Sequence, residues 1–159
     1  MFDSDLKAKR LFDIMILVLA HLFFFPFWLI LWSFIPIFIW LEDRGPVFFK
    51  QMRVGYKGTN FEVIKFRSMY MDAESQGLIT SDTDQRITKV GNILRRTALD
   101  ELPQIINIFR GDMSFVGPRA LPPEMHEDSC EIVSEFEKRL SVLPGLTGVA
   151  QIYLSRHSH

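Results

Sequence analysis

Asp100 and Glu101 stand side by side in residues 98–119, ALDELPQIINIFRGDMSFVGPR, directly before a short apolar helix and a loop punctuated by Gly and Pro. Two readings of the pair are open. As a helix start, Thr97 or Asp100 would accept bonds from free amides, Glu101 would favour the positive end of the helix dipole, and Pro103 would fit the first turn. As a reactive pair, one carboxylate would be a nucleophile and the other a metal ligand, which suits phosphoryl transfer. A carboxylate attacking a phosphate must overcome the repulsion of two anions, so that chemistry needs cations close by. Lys65, Arg67, Arg95, Arg96 and Arg119 are the candidates, and each could equally be a solvated surface charge. Arg95 lies five positions before Asp100 and suits an anion held near the acids. The loop GDMSFVGPR, residues 111–119, offers free amides and Arg119 as a phosphate setting, or simply a tight turn.

These residues must be positioned by a chain with an unusual start. Residues 14–41 carry no formal charge, and His21 and Ser33 are their most polar side chains. A spanning helix needs about 20 apolar residues to cross a hydrocarbon core of about 30 Å, and this run is long enough. Pro26 and Pro36 interrupt it, each removing a backbone donor and bending or breaking a helix. Broken at Pro26, the halves would be about 18 and 22 Å long, and neither would cross alone. Lys7, Lys9 and Arg10 precede the run, and Arg44, Lys50 and Arg53 follow it, so both flanks prefer the cytoplasmic side. A helix that enters one leaflet, kinks at Pro26 and returns to the same face satisfies both observations. A kinked true span and a hairpin buried in a soluble protein are the alternatives. The run is too long for a signal peptide and lacks a small-residue cleavage site. Trp28, Trp32 and Trp40 fit an interfacial belt or plain packing.

Beyond the run the period changes. Residues 47–52 and 61–66 are β-rich and are joined by a turn containing Gly55, Gly58 and Asn60, which predicts a β-hairpin. In the second strand Phe61, Val63 and Lys65 share one face. Lys65 thus ends a mostly apolar face, where an ammonium needs an anion or an exit to water. Residues 72–84 read as an acidic loop that a ligand could order, and residues 86–96 as a helix ending in Arg95 and Arg96. Pro122 and Pro123 open a last helix, in which Met125, Ile132, Val133, Phe136 and Leu140 recur at helical spacing until PGLTG stops it.

Length and composition bound the rest. At 159 residues, 48% hydrophobic and net charge -1, the chain is neither disordered nor strongly basic, and nucleic acid is a poor partner for it. Without the apolar run, roughly 115 residues remain, enough for one modest core. Cys130 is the lone cysteine, so no intrachain disulfide forms. The fold class expected is α+β, mostly helical. A re-entrant membrane helix hairpin would occupy residues 1–44, and a small cytoplasmic domain, with a β-hairpin and amphipathic helices, residues 45–159.

Six ordered blocks, KRLFD (9–13), GPVFFKQMRVG (45–55), KFRSM (65–69), LDELPQ (99–104), GDMSFVGPR (111–119) and PGLTGVAQ (144–151), carry a resemblance to the bacterial sugar transferases. More narrowly, the chain resembles the monotopic phosphoglycosyl transferases that begin polyprenol-linked glycan assembly. The resemblance implies transfer of a sugar 1-phosphate from a UDP-sugar to a polyprenol phosphate, commonly undecaprenyl phosphate, with release of UMP and magnesium as cofactor. It implies Asp100 as the nucleophile that forms a covalent phosphosugar intermediate and Glu101 as the acid associated with Mg2+. Lys65 matches the family's functional lysine, Arg95 and Arg119 match basic residues near phosphate and nucleotide, and Arg67 joins them as a substrate-binding candidate. Pro26 matches the proline that breaks the re-entrant helix. The implied location is the bacterial inner membrane, with the catalytic domain on its cytoplasmic face and membrane lipid as a partner. Oligomeric state is open, a homo-oligomer included.

The chain departs from the family pattern at Phe25, where Ser often precedes the helix-breaking Pro, and at Ala120, where the pattern has Pro-Arg-Pro. It also ends in YLSRHSH, short of the family's usual Asn-Gly-Arg segment, and His157 and His159 are not expected to bind metal. Two rival functions stay in view: a non-catalytic membrane-anchored module that binds polyprenol phosphate or a partner, and a glycosyltransferase whose nucleotide product would be UDP.

Overall fold

A computed structural model describes residues 2–71, 73 and 84–149. Helix α1, Phe2–Phe23, is separated from α2, Phe25–Asp43, by a turn at Phe24. Pro26 sits in the first turn of α2, where its missing N–H costs least. The break is therefore where Pro26 predicts it, but the lengths differ from expectation. The 22-residue α1 starts well before the apolar run, and the 19-residue α2 continues through Pro36. Contrary to the expectation that neither half would reach, α2 is long and apolar enough to cross a membrane by length and composition. Across the break, Trp28 stacks on His21 with centroids 4.6 Å apart and donates its indole N–H to the Ala20 carbonyl at 3.0 Å.

The predicted hairpin forms from β1, Phe48–Val54, and β2, Asn60–Phe66, paired antiparallel with Phe49 opposite Lys65 and Gln51 opposite Val63. Helix α3, Lys89–Arg96, begins later than expected, because Thr88 caps it by accepting from Gly91 N–H at 2.8 Å. Helix α4 is Gln104–Arg110 and α5 is Pro123–Ile132. The last helix is shorter than its periodicity suggested. Glu135 turns left-handed, at φ 65°, and residues 136–141 continue as a 3-10 turn, leaving Ile132 and Val133 exposed. Two short strands, β3 (Ser114–Val116) and β4 (Gly145–Thr147), pair in parallel and join the GDMSFVGPR and PGLTG blocks.

Two cores hold these elements. Leu17 of α1 buries against Val63, Ile108 and Met113, whereas Ile35 and Ile39 of α2 bury against Phe66 and Leu94. Val63 and Phe66 point to opposite faces of β2, so α1 and α2 straddle the hairpin. Polar bonds fix both ends. Arg10 donates to the carbonyls of Ile108 and Phe109 at the end of α4, Lys9 donates to Val116 C=O, and Asp13 accepts from Phe115 N–H at 3.3 Å. At the other end, Glu42 accepts from the free amides of Lys89 and Val90 at 2.7 and 3.0 Å. Around the turn that joins the two helices the apolar side chains lie open: Leu22 is 71% and Phe23 74% exposed.

Candidate active site

The acids follow directly from how α3 ends. Gly91 lets α3 press onto the end of β2, since a Cβ there would lie 2.0 Å from the Ser68 carbonyl oxygen. That approach brings Arg95 Nε within 2.9 Å of Ser68 Oγ. Ala98 then adopts φ 54°, a left-handed conformation that a residue with a Cβ rarely takes, and turns the chain into the 3-10 segment Leu99–Glu101. Neither this segment nor α4 has a side-chain cap, so the capping bonds expected of Thr97 or Asp100 are not made, although both acids stand in the first turn of the 3-10 segment. Glu101 Oε1 instead accepts from Lys65 Nζ at 2.7 Å and from Arg119 Nη2 at 3.5 Å. Lys65 thus has the anion that its apolar strand face required.

Asp100, Glu101, Lys65, Arg67, Arg95 and Arg119 all border one cleft of about 900 Å³, which runs along the hairpin. Burial pushes the Asp100 carboxyl above the usual range, with the charges of Lys65 and Arg95 opposing it. Burial also works to raise Glu101, but the charge and hydrogen bond of Lys65, with Arg119, outweigh it and hold Glu101 low. Adjacent carboxylates are thereby driven apart, a pattern that goes with distinct roles.

Arg67 is placed differently from the other cations. It is 7% exposed and donates to both carboxylate oxygens of Asp43, at the end of α2, and to the Pro46 carbonyl. It borders the cleft as a clamp between α2 and β2. Arg96, the other residue of the pair, is exposed. The loop holding Arg119 is tied to other parts of the chain. Four consecutive carbonyls accept bonds from three other parts of the chain: Pro118 from Gly145 N–H, Arg119 from Arg139, Ala120 from Arg53 and Leu121 from Val54 N–H. Most of the acidic loop expected at 72–84 lies outside the described residues, as do His157 and His159.

The sequence model described as bacterial sugar transferase matches residues 4–159. The chain belongs to the bacterial sugar transferase family. The chain is 42% identical over 159 residues to the undecaprenyl-phosphate glucose phosphotransferase of Komagataeibacter xylinus, covering 97% of this chain and 29% of that protein. It is 43% identical over 153 residues to the exopolysaccharide production protein PSS of Rhizobium leguminosarum bv. phaseoli, covering 93% of this chain and 74% of that one. To the UDP-glucose:undecaprenyl-phosphate glucose-1-phosphate transferase of Escherichia coli strain K12 it is 42% identical, covering 96% of this chain and 33% of that one. The chain thus spans about a third of two of these relatives and about three quarters of the other.

Four contributors to this family member's site escaped sequence reasoning. Gln51 and Arg53 border the cleft, on the same hairpin face as Lys65, and strand alternation could have flagged them. Ser68 holds Arg95. Asn107, 0% exposed, accepts from Ile64 N–H at 3.0 Å and donates to the Glu62 carbonyl at 2.8 Å, locking β2 to α4; a polar residue inside an apolar helix was its signal.

Proposed function

We propose that this chain transfers a sugar 1-phosphate from a UDP-sugar to a polyprenol phosphate, undecaprenyl phosphate being the acceptor that relatives' names give. The observation that carries this reading is that Asp100, raised by burial, and Glu101, held low by Lys65 and Arg119, lie side by side in one cleft with those cations. In the first half-reaction an Asp100 carboxylate oxygen bonds to the phosphorus that bears the sugar. The bond from that phosphorus to the bridging oxygen breaks, and UMP leaves with the electron pair. In the second, a phosphate oxygen of the acceptor attacks the same phosphorus and displaces Asp100, giving the polyprenyl diphosphate sugar. One nucleophile suffices because the two half-reactions share it. Lys65, Arg95 and Arg119 offset the negative charge that gathers around the phosphates.

Magnesium binds through one or two protein carboxylates and completes its shell with water and substrate phosphate. Glu101, with Asp100 beside it, fits that sparse donor set. Both cations contact Oε1 of Glu101, so Oε2 carries neither. Among the described residues no group of three or more His, Cys, Asp or Glu forms a dedicated cage. Glu101 would hold the ion, which when bound supplies positive charge to the donor diphosphate.

The same reading makes α1 and α2 a re-entrant hairpin on the cytoplasmic face of the bacterial inner membrane. What supports it is that both helices are bonded into one small domain on either side of β2, with the exposed apolar tip between them. A hairpin in one leaflet sets the cleft at the height where a lipid phosphate meets a soluble nucleotide. The activity is tested by incubating purified protein in nanodiscs with magnesium, undecaprenyl phosphate and UDP-sugars, UDP-glucose first, and separating UMP from UDP. UMP is expected; UDP alone, or no nucleotide from any donor, would refute the assignment.

A further inference from the structure

The chemistry above leaves unused an aromatic group at the open end of the hairpin. Phe48, the first residue of β1, lies opposite Phe66 with stacked rings 5.6 Å apart. Trp32 of α2 stands 5.5 Å from Phe66 and 6.5 Å from Phe48. Phe66 is buried at 1% exposure, but Phe48 remains 41% exposed and forms part of the cleft wall. One side of Phe48 therefore seals the α2 core while another stays open at the cleft lip.

The position of this lip is informative in both directions. The next pair along the hairpin is Phe49 opposite Lys65, whose side chains take the other face, and the cleft is bordered by both pairs, so it joins the aromatic lip to the ammonium around the end of the hairpin. In the other direction Leu29 lies one turn from Trp32 on the same side of α2 and is 53% exposed, as is Phe34. An apolar path thus runs from the phosphate-binding cations to the uncovered surface of the membrane hairpin. Cations at one end and uncharged aromatic surface at the other complement an anionic head on a long apolar tail. A UDP-sugar, polar along most of its length, has no use for that path.

We propose that the seam formed by Trp32, Phe48 and Leu29 holds the first isoprene units of the acceptor lipid, delivering its phosphate to Lys65 and Asp100. This rests on the acceptor being a polyprenol phosphate. Phe48 is then a specificity residue for the second half-reaction alone, because the donor reacts with Asp100 without touching the seam.

The test separates the half-reactions. Phe48→Ala is expected to raise the KM for undecaprenyl phosphate about tenfold, as removal of a partly buried aromatic contact would. The UMP released without acceptor, and the KM for the donor, stay at wild-type values, and Phe48→Leu recovers most of the loss. An unchanged acceptor KM in Phe48→Ala would overturn the seam. A second measurement needs no variant: wild-type protein in nanodiscs is irradiated with an undecaprenyl phosphate analogue carrying a diazirine in its first isoprene unit. Label on the peptides of Trp32 or Phe48 supports the proposal, and label confined to other peptides overturns it. If wild-type protein releases no UMP from any donor, the reading of the activity fails by itself, and the labelling still decides where the lipid lies.

Discussion

Replacing Lys65 by Met keeps most of the side chain's length and removes its charge. Lys65 Nζ lies 2.7 Å from Glu101 Oε1, and the two side chains are 16% and 22% exposed. Unit charges 4 Å apart attract by about 4 kcal/mol at an effective dielectric of about 20. Residual exposure lets water screen part of this, leaving roughly 2 kcal/mol. A substrate phosphate at similar range gains a similar amount, and at about 1.4 kcal/mol per factor of ten the loss is about 30-fold in kcat/KM. The sign of a second effect also follows. Burial raises Asp100 and Lys65 is the strongest charge opposing it, so without Lys65 the aspartate holds its proton to higher pH. The acid limb of kcat/KM therefore moves upward. The assay is UMP release against pH for wild type, Lys65→Met and Lys65→Arg, the last keeping the charge and most of the activity. A folded Lys65→Met within about twofold of wild type, its acid limb unmoved, would refute this electrostatic account.

Other perturbations probe the scaffold and its pH response. Arg67→Met strands Asp43 at the end of α2 and should cost about 3 to 5 kcal/mol, read as a lower thermal midpoint. Asn107→Ala leaves Ile64 N–H and the Glu62 carbonyl without their partner and should cost roughly 2 to 4 kcal/mol in the same measurement. Asp84 is held at about 2, against its ordinary 3.8, by the side-chain hydrogen bonds of Arg86. A depressed native value contributes stability above pH 3.8 that is lost as pH falls toward 2. Asp84→Asn should therefore melt below wild type at pH 7, with the gap narrowing across that window.

What was legible in the sequence was local. Pro26 announced the helix break, two β-rich runs around a Gly-containing turn announced the hairpin, and the apolar face ending in Lys65 announced an ammonium in need of an anion or an exit to water. The identity of that anion was not legible, because Glu101 lies 36 residues away and only the turn at Ala98 brings it there. For the same reason the capping reading of the acids looked reasonable, since capping is the interaction that neighbours in sequence can make. Arg67 read as another phosphate cation until Asp43, 24 residues earlier, proved to be its partner. The parallel strands β3 and β4 have three residues each, too few for a period to register. In α5 the apolar spacing continued past Ile132, but spacing could not reveal the left-handed turn at Glu135 that ends it.

The central claim is that Asp100 carries the phosphosugar between donor and acceptor. Intact-mass and peptide analysis of the protein, incubated with magnesium and UDP-sugar but no polyprenol phosphate, tests it most directly. The expected result is about one equivalent of UMP per protein and a sugar-phosphate adduct on the peptide that contains Asp100, both lost in Asp100→Asn. UMP release that strictly requires the acceptor, with no adduct at any time, would contradict the covalent route and point to direct attack by the lipid phosphate.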